Sequence, residues 1–206
     1  KRWLGIKGYA ILWGKLFEYK FYNFSSKISA AWIWSRIKRL GKSRKYLVEN
    51  LGYLKNGSLE LINKLEKIII KNGGVFHLSD PVLCINPIKS VNKTDIYDSV
   101  VTTIPIPLLT KIFIASGIDK DVIKNYEKTI SIACACVILK TSKKITDNFW
   151  TNINDNRYSI PGIVEMSNLR ELDSYITYVP FYMPEDHPNY LKSNANLINE
   201  AWDCIK

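Results

Sequence analysis

Four cysteines and two histidines are the residues with the readiest chemistry in this chain, and their spacing limits what they can do. Cys134-Ala135-Cys136 is the tightest grouping, and on a strand two side chains two positions apart share a face. Two thiolates with no histidine close by make a poor zinc site, because structural zinc takes four ligands. Cys84, Cys134, Cys136 and Cys204 therefore read as small buried apolar residues in a reducing compartment. His77 and His187 stand alone and receive no catalytic role. Glu165 is a carboxylate inside the run Ile163-Val164-Glu165-Met166, either solvated at a strand edge or paired inside a polar pocket. No side chain is singled out as acid or base. Sequons at Asn23, Asn56 and Asn92 read as chance in a chain rich in Asn and Lys with no secretory signal.

Charge is concentrated at one end. Residues 1–72 hold sixteen Lys/Arg against four Asp/Glu, while the rest of the chain is slightly acidic. The density peaks at Arg36, Lys38, Arg39, Lys42, Arg44 and Lys45. Such a cluster attracts anionic lipid, acidic ligands or nucleic acid, or is simply a solvated helix end and loop. Trp32, Trp34 and Tyr46 interleave with it, but no zinc finger or RNP-type strand accompanies them, so nucleic acid is the least favoured partner.

The elements that must position these residues follow an α+β order. Residues 3–40 read as helical, interrupted at Tyr22-Asn-Phe-Ser-Ser. Ser58 caps a helix running to Lys71 with Leu59, Ile62, Leu65 and Ile69 on one stripe, and Asn72-Gly73-Gly74 stops it. Val75–Leu78 reads as a strand, Asp80-Pro81 as a turn, Val82–Pro87 as extended, and Tyr97–Thr103 as a short buried strand ended by Ile104-Pro105. Two short helices follow, Leu108–Ala115 and about Asp119–Lys128, then a long strand at Ser131–Lys140. Short strands and turns continue to Pro188, and Tyr190–Ile205 closes as a helix.

The chain has 206 residues, 47% apolar, with a formal net charge of +10. That excludes wholesale disorder, and 10 Gly with 8 Pro exclude a collagen-like repeat. No stretch approaches the ~18 apolar residues of a membrane span. The chain begins at Lys1 rather than Met, so a processed protein or a piece of a longer one is expected, located in the cytoplasm or peripherally at a membrane.

A series of blocks carries a resemblance. In order they are Leu51-Gly-Tyr-Leu-Lys-Asn-Gly-Ser-Leu, Ile70-Lys-Asn-Gly-Gly with Asp80-Pro-Val, Tyr97-Asp-Ser-Val-Val-Thr-Thr-Ile-Pro, Trp150-Thr-Asn-Ile, Gly162-Ile-Val-Glu-Met-Ser-Asn and Tyr175-Ile-Thr-Tyr-Val-Pro-Phe-Tyr. From about residue 32 onward this order resembles the middle of FAD-dependent oxidoreductases of the amine oxidase and protoporphyrinogen oxidase superfamily. Within it, the chain most resembles the branch that includes UDP-galactopyranose mutase-like and protoporphyrinogen oxidase-like proteins. The resemblance implies an antiparallel substrate-domain sheet with helices, plus a few strands of an FAD-binding α/β domain. It divides the chain into a basic helical part (1–50), part of the FAD-binding domain (51–110) and a substrate-binding sheet domain with a C-terminal helix (111–206). It implies that Pro81 and Val82 meet the adenine of FAD through the backbone, and that Thr102, Thr103, Ile104 and Pro105 form a loop beside the cofactor. Gly57 would allow close backbone approach, although Asn56 stands where the family has a first glycine. Trp150, Asn152, Glu165, Asn168, Tyr178 and Tyr182 would line the pocket for a small-molecule substrate.

The family opens with a strand and a G-x-G-x-x-G turn, and Gly5, Gly8 and Gly14 have the wrong spacing for it. The chain also reaches Lys206 before the family's Gly-Asp segment. The expectation is a central fragment of a flavoenzyme that binds FAD weakly or not at all by itself. The alternative is a non-catalytic basic module that docks on a membrane or an acidic partner.

Overall fold

In the computed structural model, residues 5–45, 48–49, 52–86, 90–92 and 95–206 are described. The expected positions Trp3, Tyr46, Leu51 and Pro87 lie outside them. In chain order the elements begin with α1 (Gly5–Tyr9), a π-type turn, α2 (Lys15–Phe21), a 3-10 turn (Tyr22–Lys27) and α3 (Ala30–Lys42). The two-residue strands β1 (Arg44–Lys45) and β2 (Val48–Glu49) precede α4 (Ser58–Lys71), and β3 (Ser90–Val91) and β4 (Asp95–Ile96) precede α5 (Ile106–Ala115) and α6 (Lys120–Glu127). The chain ends with β5 (Ala133–Thr141), β6 (Trp150–Asn152), β7 (Gly162–Glu165), β8 (Tyr175–Met183) and α7 (Asn194–Ile205). This is a mixed helix-and-sheet fold with one four-stranded antiparallel sheet, ordered β5-β8-β7-β6.

Two compact units result, Lys1–Ser58 with Ile132–Lys206, and Leu59–Ser131. In the first, strand alternation sorts the sheet into two faces. Leu139, Ile163, Val179, Phe181 and Met183 point to the core face, where α7 adds Leu197 and Ala201. The helix starts at Asn194 rather than Tyr190 because the Ser193 hydroxyl accepts from the Asn196 amide and caps it there. Central strand β8 contains Pro180, which cannot donate to a ladder. Its pairing with β7 covers only Thr177 and Tyr178, so Pro180 interrupts no bond to that neighbour.

The break at residue 22 is sharper than a loop. Tyr22 takes φ 48°, a region an aromatic residue rarely adopts, and it survives because the side chain is held at both ends. The hydroxyl donates to the Tyr182 carbonyl at 2.5 Å, and the ring lies 4.6 Å from the His187 ring. Burial pushes the phenol up to about 12. A raised folded value means that this group stabilises the fold fully below its ordinary range near pH 10, and that the contribution fades as pH climbs through about 12. Alkaline melts of the parent should therefore lose stability more steeply over that window than those of Tyr22→Phe. Parallel slopes would contradict the assignment.

The second unit departs from the expected strands. Val75–Leu78 and Tyr97–Thr103 form none, and Tyr97, Val100 and Val101 are exposed rather than buried, Val101 at 86%. Apolar strands of this kind are fixed by ladders to neighbours on either side, and the described residues supply no such neighbours. The stripe of α4 is likewise uncovered, with Leu59, Ile62, Leu65 and Ile69 between 43% and 63% exposed. The helix stop behaves as expected: Gly73, at φ 85°, donates to Ile70 O and Gly74 donates to Ile69 O, which closes a Schellman cap. Helix α5 begins two residues before the expected Leu108 because Pro107 fits a first turn. Among the described residues of this unit, Leu109 and Thr110 of α5 and Ile123 of α6 are buried.

Candidate functional site

Register brings four expected substrate-side residues onto the sheet face opposite the core. Trp150 pairs with Val164, Val164 with Tyr178, Tyr178 with Ile138, Asn152 with Gly162 and Tyr182 with Cys134, and paired residues share a face. Trp150, Asn152, Tyr178 and Tyr182 therefore stand together with Cys134, Cys136 and Ile138. One end of this face is covered by α2, whose Lys20 ammonium sits 5.0 Å over the Tyr182 ring. Burial and Arg36 both lower the Lys20 pKa. The other end is open, with Ile138 exposed and Tyr178 half-buried.

The indole Nε1 of Trp150 donates to Asn152 Oδ1 at 2.6 Å, which fixes the two as one polar-aromatic unit. Gly162 makes room for it. A Cβ there would lie 2.6 Å from the Thr151 carbonyl oxygen and 3.0 Å from the indole. Gly162→Ala should cost about 1–3 kcal/mol by overpacking and move the indole. Melting curves together with indole emission, read against Trp150→Phe, check it; an unshifted melt with unchanged emission would contradict it.

Glu165 and Asn168 are placed elsewhere. Glu165 lies fully buried on the core face, where Oε2 accepts from the Ile145 amide at 3.1 Å and from the Thr177 hydroxyl at 2.8 Å. Of the two sequence readings, the polar pocket is the one realised. Its Oε1 has no hydrogen-bond partner among the described residues. Asn168 donates to the Thr146 and Asn148 carbonyls at 2.7 and 3.1 Å. Both residues thus pin the segment between β5 and β6, the segment that delivers Trp150.

The thiols differ from expectation. Cys134 and Cys136 do share a face, but both are exposed and free, because β5 is an edge strand and the core takes its other face through Ala135, Val137 and Leu139. Cys84 and Cys204 are half-buried. Among the described residues no group of three or more His, Cys, Asp or Glu is arranged to hold a metal.

A cleft of about 450 Å³ was not foreseen from the sequence beyond Asn152. Asp155, Arg157, Tyr158, Asp203 and Cys204 also line it. The Arg157 guanidinium grips Asp155 at 2.6–3.1 Å and holds that carboxyl below its usual range. Tyr158 donates to the Asp203 carbonyl, and burial pushes the Cys204 thiol up to about 11. The sequence signal was the close Asp-Asn-Arg spacing, which reads as an ordinary turn.

The residues expected on the cofactor side lie in irregular backbone. Asn92 splints Pro81–Leu83: its Nδ2 donates to Pro81 O at 3.2 Å and its Oδ1 accepts from Leu83 N at 2.8 Å. Those two peptide groups point to one side, so Val82's own N–H and C=O are directed to the other. The Ile85 amide then donates to Ser116 Oγ at the C-terminal end of α5, while Thr102, Thr103, Ile104 and Pro105 precede its N-terminal end. Gly57 takes φ 80°, and a Cβ there would meet Arg170 Nη1 at 3.3 Å. No family model, curated protein or solved structure matches this chain.

Proposed function

We propose that this chain is the central part of an FAD-dependent oxidoreductase, contributing the substrate-binding sheet and the adenine-side contacts. The observation that carries the reading is the uncovered apolar surface of the second unit. The α4 stripe and the segments around Leu78, Leu83 and Val101 are apolar yet exposed. That is the composition of a helix and strands from an α/β sheet that lacks its neighbouring strands. Together with the ordered blocks of the sequence, it favours a partial nucleotide-binding domain.

The residues fit the cofactor in part. With Asn92 holding Pro81 O and Leu83 N, the Val82 N–H and C=O are directed away from Asn92, the side on which a backbone reader of a purine edge would bind. Beside Gly57 the space is taken by the Arg170 guanidinium, so close approach of a ligand there would require that side chain to swing away. A bound FAD would supply hydride acceptance from a C–H or C–N centre or assistance to sugar-ring chemistry. The chain's own part is to orient a small substrate with Trp150, Asn152 and Tyr178 at the open end of the face, while Tyr182 is covered by α2.

The test uses the product of the complete reading frame. Val82→Pro removes one amide donor, whereas Val82→Ile keeps it. FAD affinity should fall about tenfold or more for the first, the loss of a buried hydrogen bond, and stay near the parent for the second. Equal affinity for both would overturn the adenine-side assignment.

A further inference from the structure

Helix α3 carries a surface that the flavin reading does not use. At helical spacing Ile33, Trp34, Ile37 and Leu40 fall on one side, and Arg36 and Lys38 flank them. Arg39 and Lys42 occupy the far side, and the helix contains no acidic residue. Trp34 is 64% exposed and Ile37 44%. The helix is rooted through another side chain: Trp32 packs edge-on against Phe21 at 5.4 Å, with the Arg36 guanidinium 5.1 Å over its ring. The apolar side is therefore turned away from the anchoring contact. From Lys1 to Lys45 the sequence holds twelve Lys/Arg and one acidic residue, Glu18.

We infer that α3 lies in the plane of an anionic membrane surface, with Trp34, Ile37 and Leu40 below the headgroups and the flanking cations at the lipid phosphates. Three observations coincide: a strongly amphipathic helix, low average hydrophobicity, and Lys/Arg bordering a stripe that contains Trp. A nucleic acid would use the cations but leave the stripe in water. A protein groove would cover the stripe but has no need of cations on both flanks. A lipid interface satisfies both at once. No helix among the described residues is long and apolar enough to cross a membrane, so this contact is one of lying on the surface. The inference does not rest on the flavin reading, and it holds for a flavoenzyme kept at a membrane as well as for a binding module.

Vesicle co-sedimentation of this chain decides it. With phosphatidylcholine vesicles containing roughly a quarter phosphatidylserine, the chain should pellet at low salt, and far less with phosphatidylcholine alone or at high salt. Ile37→Asp with Leu40→Asp should weaken partitioning about tenfold or more, and Arg36→Glu with Lys38→Glu, the two flanking cations, should do the same. Far-ultraviolet circular dichroism checks folding, and the charge pair, being exposed, still reports if the apolar pair unfolds. No pelleting at low salt overturns the inference, as does pelleting indifferent to phosphatidylserine or to both variant pairs. RNA binding that survives Ile37→Asp/Leu40→Asp while vesicles are ignored would assign the surface to nucleic acid instead.

Discussion

Phe181→Ala should lower the stability of the sheet unit by about 3–5 kcal/mol, the usual cost of deleting a fully buried aromatic ring. Phe181 has no exposed surface and sits in central strand β8 among Val179, Met183, Ile160 and Leu197. Neighbours held on β8, on the segment leading into β7 and on α7 cannot close around the void. Whole domains are stable by only about 5–15 kcal/mol, so this one change removes a large share. Ile138→Ala is the control. It is 60% exposed on the other face of β5 and should change stability by less than about 0.5 kcal/mol. Urea midpoints of the two variants measure the contrast. Similar shifts would mean that the core has been assigned to the wrong face of the sheet.

Glu165→Ala is expected to cost about 2–4 kcal/mol, since the Ile145 amide and the Thr177 hydroxyl lose their buried acceptor. The segment it pins leads to Trp150, so indole emission should move as well. Glu165→Gln retains an acceptor oxygen and the volume, and it should remain within about 1 kcal/mol of the parent. The distinction matters because Oε1 lacks a partner among the described residues. If Gln destabilises as much as Ala, a cation rather than neutral hydrogen bonding holds the carboxylate, and the positioning role given to Glu165 is wrong.

Local chemistry made part of this legible in the sequence. The α4 cap at Gly73-Gly74, the strand around Cys134–Lys140 and the two short helices α5 and α6 depend on nearby residues, and their boundaries were readable within a few positions. Alternation showed that Cys134 and Cys136 share a face but not which face is buried, because that depends on where α7 packs. Tyr97–Thr103 has the composition of a buried strand and forms none, since a strand needs partners that propensity cannot supply. For the site, alternation placed Trp150 with Asn152 and Tyr178 with Tyr182. Joining the two pairs required the register of β7 against β8. Glu165 could not be assigned between solvent and pocket because its partners, Ile145 and Thr177, are twenty and twelve positions away.

The central claim is that the apolar segments of the second unit belong to a nucleotide-binding sheet completed by further chain. The visible absorbance spectrum of the purified product of the complete reading frame addresses it most directly. Near-stoichiometric flavin that stays with the protein through gel filtration and is released as FAD on denaturation is the predicted result. A colourless, folded product that takes up no FAD when supplied with it would contradict the account.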